Sequence, residues 1–496
     1  VASFTTLQAC AAPVNSASCL LRPMFMSTTR RTFLAQALGS AGLLSLCHVS
    51  VLARPTFRIS NVSQLYPVEV ARIVVPLSTE EVAREVLGWT GKVAVGGGRY
   101  SMGGQTAVAL GLHLDMRRMN RLLHFDPTAR TARVQAGMTW RDLQDTLDPA
   151  GLAVKSMQSF SNFTIGGAVS VNAHGRYTDT GPVGSTVRSL RLVLADGSII
   201  DASANENIEL FRAAIGGYGA VGVITEIELE LTENCRIERL VVPLKLATYR
   251  AYFTRHVRDA ADVIMHNADL LPPRFDQPVA VSWRRTGKAL TESARLVPRG
   301  LSYRLSQSAL QVATEVPGGD LLVRHVLHPL FRSQGTVKWR NHEASLDVRE
   351  LEPPSRAIST YALQEYFIPV VHFESFTRAM AALILQHRAQ VLSVSVRHAN
   401  PDPVPLLPWA KEEVFSFVVY YKQKTNAATC AAVGEWTRAM IEMALRYGGR
   451  YYLPYQLHAT RAQFALAYPE IEALRRLKRT VDPDGKFSNA MWAKYL

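Results

Sequence analysis

The run Val95-Gly96-Gly97-Gly98-Arg99-Tyr100-Ser101-Met102-Gly103-Gly104 carries five glycines in ten positions, directly after the apolar strand-like stretch Val93-Ala94-Val95. Glycine admits positive φ and lets the backbone approach a ligand closely. Successive exposed N–H groups in such a turn form a concave nest for an anion, most often a phosphate. The strip therefore points to a phosphate-bearing cofactor, or else to ordinary turn chemistry. It is not a P-loop, because no Gly-Lys-Ser/Thr follows. Nor is it a Rossmann turn, in which the glycines open a helix. Here the chain runs through Gly103-Gly104-Gln105-Thr106-Ala107 into a second strand-like stretch, Leu112-His113-Leu114-Asp115-Met116.

Two later strips share this character. Met157-Gln158-Ser159-Phe160-Ser161-Asn162-Phe163-Thr164-Ile165-Gly166-Gly167-Ala168 leads into Val169-Ser170-Val171-Asn172-Ala173-His174-Gly175. Small residues and hydroxyls suit a backbone pressed against a large flat ligand. Leu210 to Thr225 contains Gly216-Gly217-Tyr218-Gly219 and Gly222-Val223-Ile224. In order and spacing these strips resemble the FAD-binding proteins of the vanillyl-alcohol oxidase, or p-cresol methylhydroxylase, superfamily. The resemblance covers roughly Tyr66 to Thr232 and the stretch from about Arg450, whose ending resembles the aldonolactone and alditol oxidase branch.

The resemblance implies FAD. Gly96, Gly97, Gly98, Arg99, Tyr100, Ser101, Met102, Gly103 and Gln105 would wrap its pyrophosphate. Gln158, Ser159, Thr164, Gly166, Gly167, Ser170, Asn172, Gly175, Gly222, Val223, Ile224 and Asn489 would hold the remainder. In the covalent branch a histidine stands where this chain has Tyr100, so noncovalent FAD is expected. A flavin oxidation removes hydride from a carbon bearing a hydroxyl, and the protein must supply a proton acceptor and a cation. His174 matches a histidine beside the flavin in sugar-oxidising relatives, and Ala173 the position linked to oxygen access. Glu365 resembles the carboxylate that binds polyol hydroxyls in alditol oxidases, and Lys422 a lysine of the same enzymes. Arg397 and His398 stand on a neighbouring strand. Decaprenylphosphoryl-ribose oxidases have a catalytic lysine where this chain has Tyr455; Gln364 fits their glutamine, and Tyr455, Gln456 and His458 would face the site.

The function implied is oxidation of a CH–OH group in an alditol, sugar lactone or sugar derivative. Oxygen, a quinone or an electron carrier would reoxidise the flavin. The alternatives are an aryl-alcohol or phenol oxidase, for which Tyr366, Tyr420 and Tyr421 could supply a phenolate site, and a flavin-binding protein without catalysis.

These groups need a scaffold. The fold class expected is α+β: a two-subdomain FAD-binding domain over 54–235, an antiparallel substrate domain covered by helices over 236–448, and a return to the flavin domain over 449–496. Ala71 to Val75 reads as a strand, then Ser78 caps a helix with Glu81 completing a capping box. Arg188 to Ile200 reads as a hairpin around Asp196-Gly197. Glu226 to Glu230 alternates acidic and apolar residues, as a half-exposed strand does. Leu363 to Pro369, Val391 to Arg397 and Val414 to Lys422 are the expected central strands of the substrate domain. Gln277 to Gly300 and Asn400 to Pro408 read as loops, with Arg284 to Gly300 a candidate lid.

At 496 residues, 48 % hydrophobic, the chain is long enough for two domains with a large core. Its net charge is +14, of which Arg22, Arg30 and Arg31 lie in the first 53 residues beside no acid. Thr29-Arg30-Arg31-Thr32-Phe33-Leu34 and the weakly apolar stretch to Ala53 read as a twin-arginine export signal, so passage through an export machinery for folded proteins and a periplasmic or extracellular location are expected. Basic residues are scattered apart from Arg475-Arg476-Leu477-Lys478-Arg479, read as a solvated helix face, so no nucleic-acid partner is expected. Cys235 and Cys430 alone follow the leader; an oxidising compartment would permit their pairing without the sequence requiring it. No Cys or His spacing suggests a metal site.

Overall fold

A computed structural model describes residues 56–301, 334–353 and 355–496; the expected export signal lies outside them. Four sheets organise these residues. Val93–Gly96 and Arg72–Val74 pair in parallel with Leu112–Asp115 between them, and the glycine strip leaves the end of Val93–Gly96. The helix Thr79–Gly88 packs Val82 and Val86 against this small sheet. Ser78 caps it by accepting from Glu81 N. The reciprocal half of the expected box is displaced by one residue, because Glu81 accepts from Leu77 N at 2.7 Å.

A second, antiparallel sheet is built around Val223–Glu233, which pairs with Thr131–Gln135, Val187–Val193 and Leu152–Val154. Val187–Val193 and Ile199–Ser203 form the expected hairpin, with Gly197 at φ 79° in its turn. Ile227, Leu229 and Leu231 of the central strand are buried, while Glu226, Glu228 and Glu230 keep partial exposure, as alternation requires.

The largest sheet has eight antiparallel strands in the order Val337–Trp339, Arg236–Pro243, Val279–Arg285, Val263–Leu270, Val391–Ala399, Val414–Lys424, Ser359–Pro369 and Arg450–Tyr451. The three strands read from sequence are adjacent in it. Alternation gives the sheet two different faces. Tyr366, Ile368, Phe415, Phe417, Val419 and Tyr421 enter a core shared with the helices Leu246–Phe253, Phe373–Gln386 and Ala427–Arg446. The intervening residues Tyr361, Leu363, Glu365, Val418 and Tyr420 face a cavity instead.

The last residues return to the glycine strip. Val93 N donates to Lys486 O, Ser488 N donates to Val93 O, and Met102 N donates to Pro454 O. Asn489 caps the helix Ala490–Tyr495 and donates to Tyr218 O at 2.9 Å.

Three expectations need correction. The stretch read as a loop over Gln277 to Gly300 contains the strand Val279–Arg285. Its remainder is not a lid over the cavity: Arg295 pairs with Asp148 at 2.6 Å, Arg299 pairs with Asp142 and Asp145, and Val297 is buried. The basic run on the helix Ile471–Val481 is not wholly solvated, because Lys478 reaches Ala220 O, Phe487 O and Asp482 within 2.8 Å. Cys235 and Cys430 are both free thiols. Among the described residues no helix is long and apolar enough to cross a membrane.

Candidate active site

One cavity of about 600 Å³ runs from the glycine strip to the inner face of the large sheet. This is the size range of cofactor and substrate clefts. At one end lie Gly97, Gly98, Arg99, Tyr100, Ser101, Met102 and Gln105. Arg99 sits at φ 60°, which turns successive amides toward one side. Among the described residues, the N–H groups of Gly97, Arg99, Tyr100 and Ser101 have no acceptor, and Gly98 N meets only Thr164 Oγ1 at 3.4 Å. Unmet backbone donors in a part-buried loop are costly unless a ligand accepts from them. A Cβ on Gly97 would stand 2.1 Å from Thr164 Oγ1, so the two strips touch through a position that only glycine fits.

The Arg99 guanidinium points away from this nest. It donates to Asp115 at 2.8 Å and lies 3.2 Å from His113 Nε2, bracing the strip against the parallel sheet. Burial and the neighbouring Arg99 hold the His113 imidazole down at about 4, so it is neutral. The bracing pair Arg99–Asp115 was not legible from sequence, although Asp115 ends a recognisable strand.

The second strip lines the middle of the cavity with Gln158, Ser159, Thr164, Gly166, Gly167 and Ser170, joined by Gly222 and Ile224. Ser159 Oγ is buried with no partner among the described residues. The Tyr100 ring packs on Phe163 with centroids 4.2 Å apart, and burial raises its hydroxyl to about 12. The open amides, the unpartnered hydroxyl and the glycine walls together fit FAD.

Six expected cofactor residues lie behind the wall rather than on it. Gly96 is pressed against His113, and Gly103 against Tyr455 O. Asn172, at φ 49°, donates to Asp402 at 2.6 Å and accepts from Gly184 N at 3.0 Å. Gly175 leaves room for Met157 O, which a Cβ would approach to 2.1 Å. Val223 is in the core and Asn489 is a helix cap. These residues shape the cleft without lining it.

The far end of the cavity is polar. Glu365, Arg397, Ser393, Ser395, His174 and Tyr455 meet there. The Glu365 carboxylate bonds His174 Nε2 and Ser416 Oγ through Oε1, and accepts from Tyr455 OH at 3.0 Å through Oε2. Burial pushes the Glu365 carboxyl up, but the His174 imidazole bonded to it, the charge of Arg397 and the Ser416 hydroxyl outweigh it. The net position is below the usual carboxylate range. His174 is fixed by Phe367, Trp409 and Tyr452, with ring centroids 5.6, 4.8 and 5.9 Å away. Trp409 and Tyr452 also donate to Asn172 O, which ties the imidazole to the Asn172 brace. His174 Nδ1 and Arg397 Nε are buried and without partners among the described residues.

Burial lowers the Arg397 guanidinium and raises the Tyr455 hydroxyl well above its ordinary value. Ser393, Ser395 and Arg397 alternate along one strand, a pattern visible in the sequence.

Several expected catalytic groups are elsewhere. Lys422 shares the inward face with Tyr420 but lies beyond the cavity wall, its ammonium 5.9 Å from the Tyr361 ring. His458 lies 3.1 Å from Gln456 Oε1 and beside Gly434 of the Ala427–Arg446 helix. Gln456 in turn donates to Tyr421 OH and Gln423, on the far face of the sheet. Gln364 is buried on that face as well, and His398 turns to Glu413 at 2.9 Å. One residue along a strand reverses the side chain. The same alternation removes Tyr366 and Tyr421 from the proposed phenolate cluster and leaves Tyr420 with Tyr361, 5.7 Å apart.

Comparison with known proteins agrees with this division. Residues 70–203 match the FAD binding domain model, and residues 280–495 match the D-arabinono-1,4-lactone oxidase model. The chain is 25 % identical to L-gulonolactone oxidase of Bos taurus over 84 % of its own length and 93 % of that protein. It is 24 % identical to decaprenylphosphoryl-beta-D-ribose oxidase of Mycolicibacterium smegmatis, over 82 % and 89 %. It is 25 % identical to alditol oxidase of a Streptomyces species, over 73 % and 80 %. The glycine nest belongs to the first matched region and the carboxylate–imidazole wall draws on both, so the chain belongs to the FAD-linked oxidoreductases of the p-cresol methylhydroxylase fold, with FAD as its cofactor.

Proposed function

We propose that this protein oxidises a CH–OH group of a carbohydrate-like alcohol (an alditol, a sugar lactone or a related derivative). The observation that carries the reading is the buried Glu365–His174 pair beside Arg397, on the wall of the same cavity that holds the glycine nest. FAD, when bound, supplies the hydride acceptor. The chain's own groups manage the oxygen. The His174–Glu365 pair on the cavity wall is the acceptor for the substrate hydroxyl proton, which passes to the imidazole. Glu365 stabilises the imidazolium that results, and Ser416 and Tyr455 hold the carboxylate in place. Arg397 offers a cation to the substrate oxygen as its proton leaves. Loss of one proton to this pair and one hydride to the cofactor leaves the carbonyl product, so the step balances.

Its relatives include a lactone oxidase and an alditol oxidase, which supports this substrate class. Tyr100 in place of a linking histidine supports noncovalent attachment of the cofactor, and Thr29-Arg30-Arg31 supports export by the twin-arginine route. Oxygen, a quinone or an electron carrier serves as final acceptor. A panel of alditols, aldonolactones and aryl alcohols, added without oxygen to the purified yellow protein, tests the reading. Bleaching by the first two classes is expected. Bleaching by aryl alcohols alone would make the protein a phenol-type oxidase, and bleaching by none would make it a flavin-binding protein without this catalysis.

A further inference from the structure

Next to the polar end of the cavity lies a second chamber of about 350 Å³ that the proposed reaction does not use. Arg176 and Asn267 line both. The second chamber spreads over the same face of the large sheet, from Asp269 across Val281 and Trp283 to Arg239 and Lys338. Arg239 stands three strands from Arg397, which at about 4.8 Å per strand is roughly 14 Å. A single sugar ring does not span that distance, so a ligand touching both ends is elongated or carries a substituent.

Among the described residues, the lining carries three cationic side chains and two carboxylates. Arg176, Arg239 and Lys338 face two carboxylates, Asp269 and Glu343. Glu343 is already committed through both oxygens, to Arg176 at 2.6 Å and to Lys338 at 2.5 Å. Asp269 accepts from Asn267 at 3.0 Å, and desolvation raises its carboxyl. Trp283 Nε1 is buried with no acceptor among the described residues, and Lys338 lies over its ring at 4.6 Å. Cations and an unmet donor on a shared wall favour an acceptor-rich, negatively charged group over a neutral one.

We propose that this chamber is an anion subsite, and that the preferred substrate is a sugar derivative carrying a carboxylate or phosphate at the end remote from the oxidised carbon. The inference rests on the carbohydrate reading above for the identity of the sugar, and on the chamber alone for the anion. Charge-assisted contacts to two or three cations correspond to roughly tenfold to a hundredfold in affinity.

The test is calorimetric titration of the FAD-loaded protein with D-glucitol, D-gluconate and D-glucitol 6-phosphate at low salt. At least one anion is expected to bind tenfold or more tightly than D-glucitol, and the order of the two distinguishes a carboxylate from a phosphate site. Arg239→Gln and, separately, Lys338→Met are expected to remove most of that advantage while leaving D-glucitol binding and the flavin spectrum unchanged. Equal affinities in the unaltered protein, or an anion preference that survives both substitutions, would overturn the proposal. Binding is read without turnover. Failure of every sugar to bleach the flavin therefore counts against the carbohydrate reading alone, and an absent anion preference counts against the subsite alone.

Discussion

Replacing Glu365 by glutamine is the most informative single change. The side chain keeps its volume but loses the charge that faces His174 and Arg397. Its carboxylate accepts from three donors, His174, Ser416 and Tyr455. A carboxamide accepts through one oxygen only and turns its NH₂ toward at least one of those donors. Two consequences follow. The imidazolium formed on proton abstraction loses its counter-charge, so the rate of flavin reduction should fall by about 10²–10⁴, or about 3–5 kcal/mol at 1.36 kcal/mol per decade. Removing the negative charge that faces the buried Arg397 should also cost stability, about 3–5 kcal/mol at most. The two are separated by measuring thermal unfolding and cofactor content first, then reduction by anaerobic rapid mixing with a sugar that bleaches the unaltered protein. A folded, FAD-loaded Glu365→Gln protein that is reduced at the unaltered rate would refute the role assigned to the pair.

Other predictions concern the scaffold and the cofactor. Gly97→Ala should lower FAD affinity by at least about tenfold, because the new Cβ meets Thr164 Oγ1 at 2.1 Å; adding Thr164→Ala should restore part of it in a titration with FAD. Acid precipitation of the purified protein should leave the yellow colour in the supernatant; colour retained in the pellet would mean a covalent link that Tyr100 does not provide. His113, His266 and His458 are held at about 4, 3 and 4 by burial, against an ordinary 6.5. The unfolded chain therefore binds more protons between roughly pH 6.5 and 4, and stability should fall as pH drops through that window; a thermal midpoint unchanged from pH 7 to 4.5 would contradict this. Glu343 and Glu365, both depressed, add their loss only below the usual 4.5. His458→Gln should leave the reduction rate within about threefold of the unaltered value, because the imidazole lies on the helix-covered face of the sheet.

Legibility from sequence followed the physics of each element. The glycine strip was legible because few residues other than glycine can pass so near Thr164, and because an anion nest needs a local run of amides. The strands Ser359–Pro369, Val391–Ala399 and Val414–Lys424 were legible from alternation and β-branched or aromatic content. Which face of them met the cavity was not, since that depends on which sheet face the helices Phe373–Gln386 and Ala427–Arg446 cover. His174 and Glu365, 191 positions apart, are brought together by the sheet, and only the family resemblance singled them out beforehand. The same resemblance pointed to Lys422 and His458, one beyond the wall and the other behind the sheet. The supporting residues Ser416, Trp409 and Asp402 gave no local signal, because each acts through a partner remote in the chain.

The most direct test of the central claim is anaerobic rapid mixing of the FAD-loaded protein with a reactive alditol or lactone, and with the same compound deuterated at the carbinol carbon. Bleaching by the light compound and severalfold slower bleaching by the heavy one are predicted, because the C–H bond beside the hydroxyl is the bond that breaks. A flavin that stays yellow with every hydroxylated sugar derivative offered would contradict the account.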